Sequence, residues 1–145
     1  MHSKYDIEKK LGYIRDEIRE MEIGGMNDLL SPEPIGCDPD SMSADIRFVK
    51  HGWEKNHRGE VHGGVIAAMF DTAMGMTTIA YSGYEGVSTA DLNVSFIRPF
   101  TGDSFIFRAE IIHPGRNIVR TRARAFDEKS GKCLASATAN FVHMK

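Results

Sequence analysis

Ile7, Leu11, Ile14, Ile18 and Met21 recur at three- and four-residue intervals between Lys4 and Glu22, with charged residues between them. That period puts the apolar positions on one stripe of an amphipathic helix of about five turns, ended by Gly24-Gly25. The stretch LLSPEPIGCDPD reads as loop, because its prolines and acids deny it a regular ladder. MSADIRFVK alternates well enough to form a strand, and HGWEKNHRGE is a second, polar loop. From Gly63 to about Tyr81 the apolar residues wrap the whole circumference of a helix, which predicts burial nearly all round.

Four strand-like runs follow, at roughly 87–98, 104–113, 117–127 and 132–143, parted by the turns RPFTGD, HPGRN and DEKSGK. In the first, Ala90, Leu92, Val94 and Phe96 alternate with Asp91, Asn93 and Ser95; in the last, Cys133, Ala135, Ala137, Ala139 and Phe141 form one face. Short connections predict an antiparallel sheet, and the small residues of the last run let a helix lie close against it. The expected fold is α+β: five antiparallel strands wrapped around one buried helix, with an additional N-terminal amphipathic helix. Residues 1–30 are read as that helix and its linker, and 31–145 as the sheet domain. A bare edge strand would invite pairing with a second copy.

Composition adds exclusions. The 145 residues are 41% hydrophobic and 26% charged, ordinary for one globular domain. A net charge of -2 gives no basic field to gather nucleic acid. No apolar run approaches the roughly 18–20 residues of a bilayer span, and the first residues are too charged for a secretory signal. Cys37 and Cys133 could pair in principle but make no disulfide framework, so a cytoplasmic protein with reduced thiols is expected. His51, His57 and His62 lie in a loop at unequal spacing that matches no zinc pattern, and no metal is expected.

One segment carries the chemistry. EVHGGVIAAMFDTAMGM holds a single acid on the buried helix, Asp71, and a lone buried carboxylate is costly unless paired or put to use. At the helix start, the amides near Gly63 and Gly64 can polarise a carbonyl, with no side chain to obstruct its approach. Asp71 lies seven residues beyond Gly64, about 10 Å along the axis. Reacting atoms must come within about 3–3.5 Å, so one copy cannot combine the two groups. Two antiparallel copies can. The alternative is structural, with Asp71 bonded to a neighbour such as Thr72 or a strand residue, and the residues alone leave both open.

NHRGEVHGGVIAAMFDTAMGM, together with STADLNVSFIRPFTGD, HPGRN and SGKCLASATANF, resembles the hotdog-fold acyl-CoA thioesterases. The closest group is the phenylacetyl-CoA thioesterase (PaaI-like) family, and the resemblance covers roughly residues 40–143. Its core is an Asn, six residues to His-Gly-Gly, and nine residues from that His to an acid. By this resemblance Asp71 is the carboxylate that attacks the thioester or activates water. The Gly63 amide polarises the carbonyl, His62 and Asn56 orient the site from the partner subunit, and the Thr89 hydroxyl positions water. The implied substrate is a small or aromatic acyl-CoA, with no cofactor beyond the coenzyme A it carries. The implied assembly is a homodimer at minimum and a homotetramer as the expected form, with no nucleic-acid or membrane partner. Coenzyme A phosphates call for basic residues at the pocket mouth. Arg98, Arg116 and Lys132 are candidates, with Gly115 of HPGRN at the nucleotide end and Gly64 beside the carbonyl site. Arg120, Arg122 and Arg124 alternate on one strand face, and fit a solvated or subunit-facing surface better. Met69, Met74 and Met76 either fill the core or line the acyl pocket, and Trp53 covers that pocket or anchors its loop. Two rival readings are a hotdog dehydratase, against which the His-to-acid spacing argues, and a non-catalytic acyl-CoA-binding module, against which Asp71 argues.

Overall fold

The computed structural model describes residues 2–144. Helix α1 (Lys4–Met21) begins on Ser3, whose side chain accepts from Asp6 N at 3.1 Å. It buries Ile7, Leu11 and Ile18, whereas Met21, the last residue of the predicted stripe, stands in solvent as the helix ends. A short helix α2 (Met26–Leu30) follows.

The strands are β1 (Glu33–Asp38), β2 (Ser43–Val49), β3 (Val87–Phe96), β4 (Ser104–Pro114), β5 (Ile118–Asp127) and β6 (Cys133–His143). They form one antiparallel sheet in the order β1-β2-β4-β5-β6-β3. The sheet therefore has six strands rather than the expected five, because part of the LLSPEPIGCDPD loop is β1. Its prolines are tolerated because β1 is an edge: Pro34 sits opposite Ile46 beside a register shift, where a missing N–H costs little. Along this strand Glu33 accepts from Arg15 and Arg19 of α1, both at 2.9 Å, so α1 shields that edge.

Helix α3 (Gly63–Ser82) crosses the concave face. It is long and apolar enough to span a membrane by length and composition alone, but here it is the core of the sheet, with Met69, Phe70, Ala73 and Met74 fully buried. Ala123 faces Ala137 and Ala125 faces Ala135 across β5 and β6, which lets the helix approach closely. Phe70 packs edge-on against Phe107 at 4.7 Å. Buried hydroxyls are paired locally, Thr77 and Thr78 donating to the carbonyls of Ala73 and Met74, both at 2.8 Å. Tyr81 Oη donates to the Ser43 carbonyl at 2.7 Å and ties the end of α3 to β2. Gly83, at φ 75°, closes the helix in the left-handed conformation that glycine adopts without penalty. Cys37 on β1 and Cys133 on β6 are free thiols.

The other edge, β3, is bare. Ser88, Thr89, Ala90 and Asp91 are exposed along it, and Phe96 at its end is 55% exposed.

Candidate active site

The loop before α3 is organised by Glu54, a residue that the pattern reading passed over. Its carboxylate is buried and accepts from His51 N at 2.8 and 3.0 Å and from Gly52 N at 2.6 Å, while its carbonyl accepts from His62 N at 2.7 Å. Burial pushes this carboxyl up, but the backbone N–H groups of His51, Glu54 and Gly52 outweigh it and hold the group below the usual carboxylate range. The signal was an acid placed in a loop where successive amides can converge on it.

Asn56 builds the next turn. Its Oδ1 accepts from Arg58 N at 2.9 Å and Glu60 N at 3.1 Å, which leaves its amide N–H groups for the cleft beside it. His62 is the N-cap of α3: Nδ1 accepts from Gly64 N at 2.9 Å, so Nε2 carries the ring hydrogen. That ring lies 3.1 Å from where a Gly64 β-carbon would be, so the glycine makes room for the cap. Gly64 N–H is thereby used. Among the described residues Gly63 N–H has no acceptor, and it lies in a cleft of about 470 Å³ with Asn56, Phe96 and Arg98.

Asp71 is half-buried two turns along the helix. Thr89 Oγ1 of β3 donates to Asp71 Oδ1 at 2.6 Å, which leaves Oδ2 without a partner among the described residues. Next to it, Thr72 Oγ1 donates to Asn27 Oδ1 at 2.6 Å, and Asn27 Nδ2 donates to Glu22 Oε1 at 3.0 Å. Asn27 is a second residue the sequence reading missed, since nothing local in an α2 helix points to α3. These groups open onto a separate groove of about 310 Å³ between α1 and α3. It shares no lining residue with the Gly63 cleft.

The basic candidates divide in the same way. Arg98 borders the Gly63 cleft, with Nη1 donating to the Cys133 carbonyl at 2.6 Å, and Lys132 lines an adjoining cleft with it. Gly115 and Arg116 lie at the far end of α3, where both their carbonyls accept from Tyr84 Oη. A β-carbon at Gly115 would collide with the Ile118 carbonyl, so that turn needs its glycine. Arg120, Arg122 and Arg124 stand exposed on the sheet's outer face, Arg122 donating to Glu110 Oε1 at 2.6 Å. Met69 and Met74 are core, Met76 lines the Asp71 groove, and Trp53 is 45% exposed. Among the described residues no three His, Cys, Asp or Glu side chains converge as metal ligands would.

The chain and its fold have counterparts among known proteins. The Thioesterase superfamily model matches residues 58–134, from the loop before α3 to the start of β6. The chain belongs to the thioesterase superfamily. The medium/long-chain acyl-CoA thioesterase YigI of Escherichia coli (strain K12) is 28% identical over 96 residues, 57% of this chain and 61% of that protein. The chain spans between 52% and 63% of the length of the first curated relatives it matches. A phenylacetic acid degradation-related protein of Ralstonia eutropha JMP134 superposes with a TM-score of 0.75 at 26% identity, over 88% of this chain and 98% of that one. The E. coli PaaI protein superposes at 0.78 with 17% identity, over 94% and 95% of the two chains, which shows the shared hotdog fold. This thioesterase-superfamily chain thus keeps the hotdog architecture, with β1 added to the strands its sequence announces.

Proposed function

We propose that the protein is an acyl-CoA thioesterase that hydrolyses a small or aromatic acyl-CoA to the free acid and coenzyme A, at sites shared between two copies. The observation that carries this is the division of the chemistry along α3. A carboxylate steadied by Thr89 and an unpartnered Gly63 N–H sit eight residues apart on one helix, about 12 Å along its axis. Neither cleft holds both groups, and antiparallel pairing of two copies brings one of each to the same place. The bare β3 edge offers the surface for that pairing.

In such a site, Gly63 N–H of one copy donates to the thioester carbonyl oxygen, with the Asn56 amide as a second donor. Asp71 of the other copy uses Oδ2, either attacking the carbonyl carbon or taking a proton from the water that attacks it. The C–S bond breaks as the tetrahedral oxyanion collapses, and the coenzyme A thiolate leaves and takes up a proton; where water attacked, this releases the acid directly, and where Asp71 attacked, water then hydrolyses the mixed anhydride to release the acid and restore the carboxylate. The same pairing gathers Arg98 and Lys132 of one copy and Gly115 and Arg116 of the other around one mouth, where phosphates would lie. Glu54 supports the donor side, since its loop sets the position of His62 and hence of the Gly63 amide.

The test is thiol release from a panel of acyl-CoAs by wild type, Asp71→Ala and Gly63→Pro. Proline is accepted at the first helical position and His62 already has an extended backbone, so Gly63→Pro deletes the N–H and spares the helix. Each variant alone is expected to be inactive. Mixed and exchanged, they restore one intact site in each hybrid dimer, about a quarter of wild-type activity overall. Confirmed hybrids without activity would count against shared sites, and tight coenzyme A binding without turnover by wild type would favour a binding module.

A further inference from the structure

The turn between β4 and β5 is held from outside by one side chain. Tyr84 follows Gly83, which closes α3, and its N–H donates to Ser82 Oγ at 3.2 Å. Its ring stacks on His143 of β6, with centroids 4.0 Å apart and planes 15° from parallel. From there Tyr84 Oη donates to the carbonyls of both Gly115, at 3.0 Å, and Arg116. A hydroxyl has one hydrogen, so the two carbonyls share it and converge on a single point. The end of β6 braces the same turn, His143 N donating to the Asn117 carbonyl at 3.3 Å.

Peptide geometry carries this to the other side of the turn. The described chain has no cis peptide bond, and in a trans peptide the N–H points opposite to the carbonyl. With the Gly115 and Arg116 carbonyls turned toward Tyr84, the N–H groups of Arg116 and Asn117 are turned away from it. Neither N–H has an acceptor among the described residues. Successive backbone amides that face outward together make a place for an anion. Arg116 stands exposed beside them. Arg108 and Arg122 are paired with Asp45 and Glu110, whereas Arg116 has no carboxylate partner among the described residues.

We infer that Tyr84 is a positioning residue for coenzyme A: by holding two carbonyls of the 115–117 turn, it presents the Arg116 and Asn117 amides, with the Arg116 guanidinium, to a phosphate of the nucleotide end. Tyr84 touches no substrate in this arrangement and acts through the turn. The inference rests on the thioesterase reading, because the coenzyme A of the substrate is what brings a phosphate to this mouth. Planar guanidinium and fixed amides suit a phosphate, since each of its oxygens can accept more than one N–H.

The experiment measures by calorimetry the binding of coenzyme A and of pantetheine, which lacks the phosphates and the nucleotide. The proteins are wild type, Tyr84→Phe, Arg116→Ala and the double variant, and turnover of acyl-CoA and acyl-pantetheine is followed on the same samples. Tyr84→Phe keeps the ring on His143 and deletes only the hydroxyl. It should weaken coenzyme A about fivefold, as for one hydrogen bond, and leave pantetheine unchanged. In turnover, KM for acyl-CoA rises by the same factor while kcat holds. Arg116→Ala should weaken coenzyme A about tenfold or more, as for a charge-assisted contact. The double variant should lose less than the product of the two single losses, because both act at one place. A Tyr84→Phe loss shared equally by pantetheine, or no loss at all, would overturn the inference. So would single losses that simply multiply, or a wild type that binds coenzyme A no tighter than pantetheine. Coenzyme A binding that Tyr84→Phe weakens selectively, in a protein that hydrolyses no acyl-CoA, would uphold the role of Tyr84 and sink the thioesterase reading alone.

Discussion

The two ends of the working stretch of α3 are built by different means. At Gly63 the group on offer is a backbone N–H, and everything around it is held by a loop folded over the buried Glu54 carboxylate. At Asp71 the group is a side chain, steadied by one hydroxyl from β3 and flanked by the Thr72–Asn27 bond. A backbone donor is deleted only by proline, and its position depends on the loop. A carboxylate can be deleted cleanly, because the helix that carries it folds without it. Damage to the loop that holds the first end should therefore register as lost stability together with lost activity, and damage at the second as lost activity alone.

The largest expected effect tests the second half of that contrast. Asp71→Asn keeps the shape and the Thr89 contact but removes the carboxylate proposed as base or nucleophile. Its kcat should fall by about 10³-fold, within the range for a positioned acid–base group, while the thermal midpoint stays at the wild-type value. Thiol release and calorimetric melting on the same sample decide it, and a large fall in melting temperature would erase the distinction between the two ends.

Glu54→Ala tests the first half. It strands the His51 and Gly52 amides and should cost about 3 kcal/mol, read from denaturant unfolding, with activity lost in parallel. The pH dependence has a definite sign. Because the folded carboxyl lies below its ordinary value of 4.5, its contribution is complete above that value and is lost as pH falls through the folded one. The stability gap between wild type and Glu54→Gln should therefore be widest near neutrality and shrink on acidification below about pH 4.5. A gap that widened toward acid would contradict the assignment.

These two residues also mark what could be read from the sequence. Asp71 was conspicuous because one acid in an apolar helix breaks the pattern, and helix rise alone put it out of reach of Gly63. The strands after α3 were legible because alternation and turn chemistry are local. β1 was not, because Pro34 argues against a strand wherever its N–H is needed, and only the three-dimensional fact that β1 is an edge removes that need. Glu54 and Asn27 were illegible for a related reason. Each matters through partners whose approach is a tertiary event: converging loop amides for the one, Thr72 across 45 residues of sequence for the other. The division of the basic residues between the two ends of α3 was equally hidden, since turns that look alike in sequence lie at opposite ends of the sheet.

Thr89→Val has a smaller expected effect. It removes the donor to Asp71 Oδ1 and keeps the volume of the side chain, so kcat should fall about tenfold, as for one hydrogen bond to a charged group. Stability should barely move, because Thr89 is exposed on β3. A loss as large as that of Asp71→Asn would mean that the hydroxyl does more than hold the carboxylate.

The smallest effect sharpens the comparison most, because His62 touches both kinds of construction. As the N-cap of α3 it holds Gly64 N–H, and it directly precedes the free Gly63 N–H. His62→Ala should cost about 1 kcal/mol of stability, the usual penalty for a lost cap, and releases a second amide at the helix terminus. His62→Asn restores a cap without an imidazole. If the ring serves only to cap, Asn recovers both stability and kcat, and the Gly63 end is a matter of backbone placement throughout. If Asn recovers stability while kcat stays low, the Nε2–H that faces away from Gly64 is itself used on the substrate. The donor end of the site then contains a side chain that acts directly, as is proposed for Asp71 at the other end.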